Sequence, residues 1–178
     1  AHYMQIFETF DVISTIEASN FYKWDMPKGK VGVICLTQSG ESADIIRSMK
    51  LTKELGAVNI GITNVVGSLV TTMCEFGVYL NCGREVAVPA TKSFTAQIVV
   101  TYLISLWYSY YKNPNHLKIE RNLAVKAFKD LPDLVAKNLA ANRDRAREVA
   151  HRLVPLNSVF VLGKGNTYPI AREASLKL

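Results

Sequence analysis

Cysteine, histidine and long apolar runs are all scarce in this 178-residue chain, which holds three cysteines and three histidines. Cys35, Cys74 and Cys82 are spread out and odd in number. That excludes a disulfide framework and a paired C-x-x-C metal site, and it suits a reducing compartment. The histidines have no Asp or Cys partner at useful spacing, so they support neither a metal centre nor an activated nucleophile. The longest apolar stretch, Ile98 to Tyr108, is broken by Thr101 and Ser105. It is too short to cross about 30 Å of hydrocarbon, so it reads as a buried helix and no membrane partner is expected. No basic-then-apolar leader opens the sequence. A Gly-x-x-x-x-Gly-Lys phosphate loop is missing as well, and with it any obvious magnesium site.

What remains is ordinary for a globular chain of one or two domains, 49% apolar and 20% charged. The formal charge of +6 is scattered rather than patched. Its densest stretch, Arg143 to Arg152, alternates with Asp144 and Glu148, as a solvated helix face does, so no nucleic-acid partner is expected. A modest positive balance also suits a site that attracts a phosphorylated metabolite.

The apolar pattern alternates between strand and helix. His2 to Phe10 has the spacing of a helix end, and Val12 to Ile16 that of a short strand. Val31 to Leu36 is a continuous β-rich run of the kind buried in a parallel sheet. A polar turn, Thr37 to Gly40, leads into a helical pattern over Glu41 to Leu55, stopped by Gly56. Val58 to Ile62 and Val78 to Leu80 repeat the strand signal, with a short helix over Leu69 to Cys74 between them. A long apolar helix follows from about Ala90 to Tyr111. Strands alternating with helices over short links imply an α/β fold built on a parallel sheet with helices on both faces. From His116 to about Leu153 the pattern is helical, punctuated at Pro132. Asn157 to Leu162 reads as a fresh strand, Gly163 to Asn166 as a glycine-containing turn, and Tyr168–Pro169 as a helix start.

Three segments carry chemistry. Thr37-Gln-Ser-Gly-Glu-Ser42 lies between a buried strand and a helix start, where parallel α/β folds place ligands and where unpaired N–H groups favour phosphate. Thr37, Ser39, Ser42 and Gln38 add neutral donors, and Gly40 allows close backbone approach. The plain alternative is a helix N-cap with Glu41 favouring the dipole. Gly83 to Phe94 is a loop entering the long helix, and Lys92 in its first turn opposes the dipole, which hints at a task other than stability. The alternative is a surface lysine. Glu173 and Lys177 share a helix face at i, i+4, as active-site groups or as a surface ion pair worth a few tenths of a kcal/mol.

Taken in order, Leu36 to Asp44, Gly61-Ile-Thr-Asn64, Asn81 and Gly83-x-Glu85-Val-x-Val88-x-x-Thr91-Lys92-x-Phe94-Thr95-x-Gln97 resemble the first sugar isomerase domain of the glutamine–fructose-6-phosphate aminotransferase (glucosamine-6-phosphate synthase) family. Val161 to Gly165 and Tyr168-Pro-Ile-Ala-Arg-Glu173-x-x-Leu-Lys177 resemble the start of its second one. Each match is weak alone; together they cover essentially the whole chain. Thr37 stands where the family commonly has serine and Ser42 where it commonly has threonine, so both hydroxyls are kept.

The resemblance implies a three-layer, flavodoxin-like parallel sheet over residues 1–112 that lacks its first strand. A helical connector would follow over 113–155, then the start of a second such domain over 156–178. It implies conversion of fructose 6-phosphate and glutamine-derived ammonia to glucosamine 6-phosphate, for hexosamine and UDP-N-acetylglucosamine biosynthesis in the cytoplasm. A homodimer is expected, with a glutaminase domain outside this chain and no metal or organic cofactor. Carried over residue by residue, Thr37, Gln38, Ser39 and Ser42 hold the sugar phosphate and Val88 lines the sugar through its backbone. Glu173 and Lys177 sit beside the reacting carbons. The family's proton-transfer carboxylate and ring-opening histidine fall beyond Leu178, so the chain alone is expected to be inactive. A sugar-phosphate sensor, or an isomerase or deglycase for another phosphosugar, is the alternative reading.

Overall fold

Gly32–Leu36 (β1), Val58–Thr63 (β2) and Phe76–Tyr79 (β3) pair in parallel in the order β1-β2-β3. The register sets Cys35 beside Gly61 and Gly61 beside Gly77. The computed structural model describes residues 2–86 and 90–178. They divide into two units, 3–107 and 108–178.

In the first unit, β1 leads into Ala43–Glu54 (α2) and β2 into Leu69–Met73 (α3); the short helix His2–Ile6 (α1) precedes the sheet. Val33 and Cys35 point to one face of β1. There they meet Ile45, Ile46 and Met49 of α2 and Val70 and Met73 of α3, with Met49 and Val70 wholly buried. The apolar positions of α2 recur at helical spacing, so one stripe can face the sheet while Lys50 and Lys53 stay in water. Asn59 in β2 faces the same way and is fully buried. It accepts from the Thr52 hydroxyl at 2.8 Å and donates to the Met49 carbonyl at 3.2 Å, so this core polar group is satisfied. On the opposite face Ile62 is fully buried. Lys92–Lys112 (α4) follows β3; its Tyr102 ring meets Phe7 edge-on at 5.7 Å.

Three local readings change. Val12 to Ile16, which alternates like a strand, is not one, and both Val12 and Ile16 are exposed. The third strand, read at Val78 to Leu80, forms at Phe76–Tyr79 instead and is exposed along its whole length. Asn157 to Leu162 has strand composition but forms no ladder, and Phe160 and Leu162 are almost fully exposed. A strand exists only through a hydrogen-bonded neighbour, and none of the described residues supplies one there.

The second unit holds Lys118–Leu153 (α5) and Tyr168–Lys177 (α6). α5 passes through Pro132 without ending. One missing N–H removes a single rung, and the Ala, Leu, Lys and Arg residues around it are strong helix formers. The turn before α5 is held by Arg121, which is buried. Its guanidinium donates to the carbonyls of Asn113, Pro114 and His116 and to the Ser109 hydroxyl, and it lies 5.7 Å from the Tyr110 ring centroid. A cation there meets the negative end of the preceding helix, which makes its burial tolerable without a carboxylate.

No helix among the described residues is long and apolar enough to cross a membrane.

Candidate functional site

The turn that leaves β1 is built from its own side chains. Thr37 is buried, and its Oγ1 accepts from Gly40 N at 3.1 Å. Ser39 Oγ accepts from Glu41 N at 3.2 Å. Thr37 N in turn donates to the Ile62 carbonyl at 3.0 Å, so the turn begins on the β2 ladder. Gly40 has φ +71°, and a Cβ there would fall 2.0 Å from Ser68 Oγ and 2.5 Å from Ser68 Cβ. Glycine is therefore required on both conformational and steric grounds.

Two further bonds tie the turn to α3. Val70 N donates to the Gly40 carbonyl at 3.0 Å, and Leu69 N to Glu41 Oε1 at 2.8 Å. In the N-cap alternative, Glu41 favours the dipole of its own helix. It reaches across instead to the first turn of α3, which draws its charge away from the start of α2. Ser42 is the N-cap of α2, in extended conformation, yet its hydroxyl makes no capping bond. Ser42 thus holds the N-cap position without the capping bond. Among the described residues no hydrogen bond engages the Ser42 hydroxyl or the Gln38 carboxamide. Ser42 and the first-turn N–H groups of α2 thus present neutral donors at the positive end of a twelve-residue helix, and Gln38 stands on the turn that leads to it.

The loop after β3 approaches the same carboxyl edge of the sheet. Asn64, just past β2, donates from its backbone N–H to the Gln38 carbonyl at 3.1 Å. Its side chain donates to the Gly83 carbonyl at 2.8 Å and accepts from Cys82 N at 2.9 Å. Glu85 then closes the loop onto α4. Its carboxylate accepts from Thr91 N at 2.6 Å, Lys92 N at 2.9 Å, and the Ser93 N–H and hydroxyl. The Ser93 hydroxyl lowers its carboxyl most; burial, next in size, pushes the other way, and the backbone N–H groups of Thr91, Lys92 and Ser93 lower it further, to about 2. Lys92 reaches back to the Arg84 carbonyl at 2.8 Å. The dipole conflict posed by Lys92 is thus answered by Glu85, seven residues earlier. Val88 lies outside the described residues.

In the second unit, Gly163 to Thr167 forms the turn ahead of α6. A Cβ on Gly163 would lie 2.5 Å from the Thr167 carbonyl oxygen. Thr167 Oγ1 accepts from Lys164 N at 3.0 Å and donates to the Lys164 carbonyl at 2.8 Å. Pro169 sits in the first turn of the helix. Glu173 and Lys177 form a direct ion pair, each side chain about a quarter exposed (25% and 23%). Such shielding sets them apart from Arg152 and Glu148, an i, i+4 pair whose side chains are 77% and 62% exposed.

Thr37, Gln38, Ser39 and Ser42 thus share one turn, and Glu173 and Lys177 share one helix face. Sequence reasoning missed Asn64, Glu85 and Ser68 as builders of the first site. For Glu85 there was a usable signal: a helix opening on Thr-Lys-Ser with no acid of its own in the first turn.

The SIS domain model covers residues 29–106. This chain carries a SIS domain. Around and beyond it the chain is 39% identical over 146 residues to the glutamine–fructose-6-phosphate aminotransferase [isomerizing] of Chlorobaculum tepidum, covering 82% of this chain and 23% of that protein. The Fusobacterium nucleatum protein of the same name is 32% identical over 180 residues, covering 99% of this chain and 29% of that one. The SIS-domain chain spans less than a third of the length of these curated relatives. Among solved structures, the C-terminal domain of glucosamine-fructose-6-phosphate aminotransferase from Francisella tularensis superposes with a TM-score of 0.83 at 24% identity, over 99% of this chain and 49% of that one. That likeness establishes the fold.

Proposed function

We propose that this SIS domain binds a hexose 6-phosphate through the Thr37–Ser42 turn. We propose further that it serves the isomerising half of a glutamine–fructose-6-phosphate aminotransferase. The observation that carries the reading is the Ser42 N-cap: an extended cap residue whose hydroxyl leaves the first turn of α2 unsatisfied, beside the uncommitted Gln38 amide. A phosphate at that point meets N–H donors, hydroxyls and the positive helix end, with Glu41 directed elsewhere.

The reaction is the conversion of fructose 6-phosphate and ammonia to glucosamine 6-phosphate. It needs a carboxylate to move a proton between C1 and C2, and a cation to steady the oxyanion that develops. The carboxylate that makes the transfer is expected beyond Leu178, and Glu173 and Lys177 add a further carboxylate and a cation on one helix face. In this reading their role is to assist proton movement beside the reacting carbons, and Val88 lines the sugar. The enzyme works as a cytoplasmic homodimer, with ammonia delivered by a glutaminase domain elsewhere in the full-length protein. The names of the relatives support the reaction; the donor cluster supports the ligand.

Calorimetry of the full-length protein with fructose 6-phosphate or glucosamine 6-phosphate tests the ligand. Replacing Ser39 and Ser42 together by Ala is expected to weaken binding by a few kcal/mol, each lost buried bond costing about 1–3 kcal/mol. Unchanged affinity refutes the assignment of the turn.

A further inference from the structure

Ligands of parallel α/β sheets lie outside the carboxyl ends of the strands. In the first unit three segments leave those ends: the Thr37–Ser42 turn after β1, Asn64 after β2, and the 81–86 loop after β3. Asn64 is bonded to both of the others. Its backbone N–H holds the Gln38 carbonyl in the phosphate turn at 3.1 Å. Its carboxamide is used at both ends, the nitrogen on the Gly83 carbonyl at 2.8 Å and the oxygen on Cys82 N at 2.9 Å. Thr63 reinforces the first link, its hydroxyl lying 3.3 Å from the same Gln38 carbonyl.

This amide stands in for a strand that is no longer there. β2 and β3 pair as far as Thr63 and Tyr79, and Leu80 N still donates to the Thr63 carbonyl at 2.9 Å. Beyond that point the backbones separate and the Asn64 side chain spans the gap, pairing with Cys82 and Gly83 as a backbone would. Asn81 and Gly83 have positive φ, +53° and +70°, so the loop turns sharply at this strut. Downstream, the Glu85 carboxylate and the Lys92 ammonium fasten the loop to the start of α4. Only an amide meets both partners: aspartate keeps the acceptor for Cys82 N but turns a negative oxygen toward the Gly83 carbonyl.

We propose that Asn64 is a positioning residue that fixes the 81–86 loop at a set distance from the phosphate turn. A hexose phosphate can then fit with its phosphate on one segment and its sugar against the other. The inference rests on the reading of the Thr37–Ser42 turn as a phosphate site, and it predicts a split between two ligands. Inorganic phosphate needs the turn alone, whereas glucosamine 6-phosphate needs the turn and the loop in register.

The test is calorimetry of the full-length protein and its Asn64→Ala and Asn64→Asp variants with both ligands, beside thermal melts. Phosphate affinity should stay within about twofold in both variants, since the Asn64 backbone bond to Gln38 survives. Glucosamine 6-phosphate affinity should fall by about tenfold or more. A parallel loss of both ligands means a merely structural role and overturns the proposal, as does unchanged hexose phosphate binding. Failure of the unmodified protein to bind either ligand refutes the phosphate turn itself, and this inference with it. Amide hydrogen exchange on the unmodified protein gives a measurement that does not depend on variants folding. Glucosamine 6-phosphate should slow exchange at Cys82 N, and phosphate alone should not. Equal protection by both ligands overturns the proposal.

Discussion

The Thr37–Ser42 turn and the Glu173–Lys177 pair both accompany a glycine-dependent bend that leads into a helix, yet they are held in different ways. The turn is fastened from three sides: by β2 through Ile62 and Asn64, by α3 through Val70 and Leu69, and from below by a core that contains Cys35 and Met49. Local bonds shape it and long-range contacts anchor it. The pair joins two residues one turn apart on a single helix, with Gly163 and Thr167 shaping the turn that leads into it. Preorganisation by surrounding structure is what makes a neutral donor cluster useful to an anion, because the donors do not have to be ordered on binding. A carboxylate and an ammonium one helical turn apart need less, since helix geometry alone brings them together.

Breaking the support of the turn should give the largest effect on stability. Gly40→Ala forces a Cβ onto Ser68 at positive φ and is expected to cost about 2–5 kcal/mol in urea unfolding, combining left-handed strain with overpacking. Adding Ser68→Gly should recover roughly half, because it removes the clash but not the backbone strain. No comparable sensitivity is expected for changes to the pair.

The pair should show the reverse pattern. Lys177→Ala in the full-length enzyme, assayed with ammonia so that the glutaminase is bypassed, is expected to lower glucosamine 6-phosphate formation by about 100-fold. Its melting temperature should barely move, since an i, i+4 pair contributes at most about 0.5 kcal/mol. A near-normal rate would leave the Thr37–Ser42 turn as the sole functional site supported in this chain.

A smaller effect sharpens the comparison through pH. The Glu85 carboxyl is lowered in the folded state from its ordinary 4.5 to about 2 by its donors at α4. Its contribution to stability is therefore complete above about pH 4.5 and is lost as the pH falls from there towards 2. Carbon-detected NMR titration should place its midpoint near the lower value, and Glu85→Gln should remove this portion of the acid sensitivity. The smallest expected difference is in thiol chemistry. Cys35, beneath the turn, is pushed up to about 11, first by burial and then by neighbouring Cys74. In the native protein, iodoacetamide should label half-buried Cys82 well before Cys35, and equal rates would mean that the core under the turn opens readily.

The strand–turn–helix placement of Thr37 to Ser42 was legible because it depends on local signals: a β-rich run, a polar turn with glycine, then helical spacing. The core stripe of α2, the run of Val58 to Ile62 and the helix starting at Tyr168 were legible for the same reason. Val12 to Ile16 and Asn157 to Leu162 were misread on equal local evidence, because a strand is a property of two segments and periodicity reports on one. The site's outer supports were hidden in the same way. Glu41 serves α3 rather than α2, 28 residues away, and Asn64 acts on a loop 18 residues away, distances along the chain at which no propensity or spacing rule operates.

By itself the sequence determined the order of strands and helices, the family, and which residues carry hydroxyl, carboxylate and ammonium groups, because covalent order and short-range periodicity encode these. Tertiary structure decided which donors are already bonded and which stay open. Ser39 is drawn into the turn while Ser42 is left uncapped, and Glu41 and Glu85 are each assigned to a helix start. Those outcomes are competitions among hydrogen-bond partners. The bond from Glu41 to α3 forms only once β1 and β2 are side by side, and even the nearer ones depend on the folded path of the turn and the loop, which a linear chain does not contain.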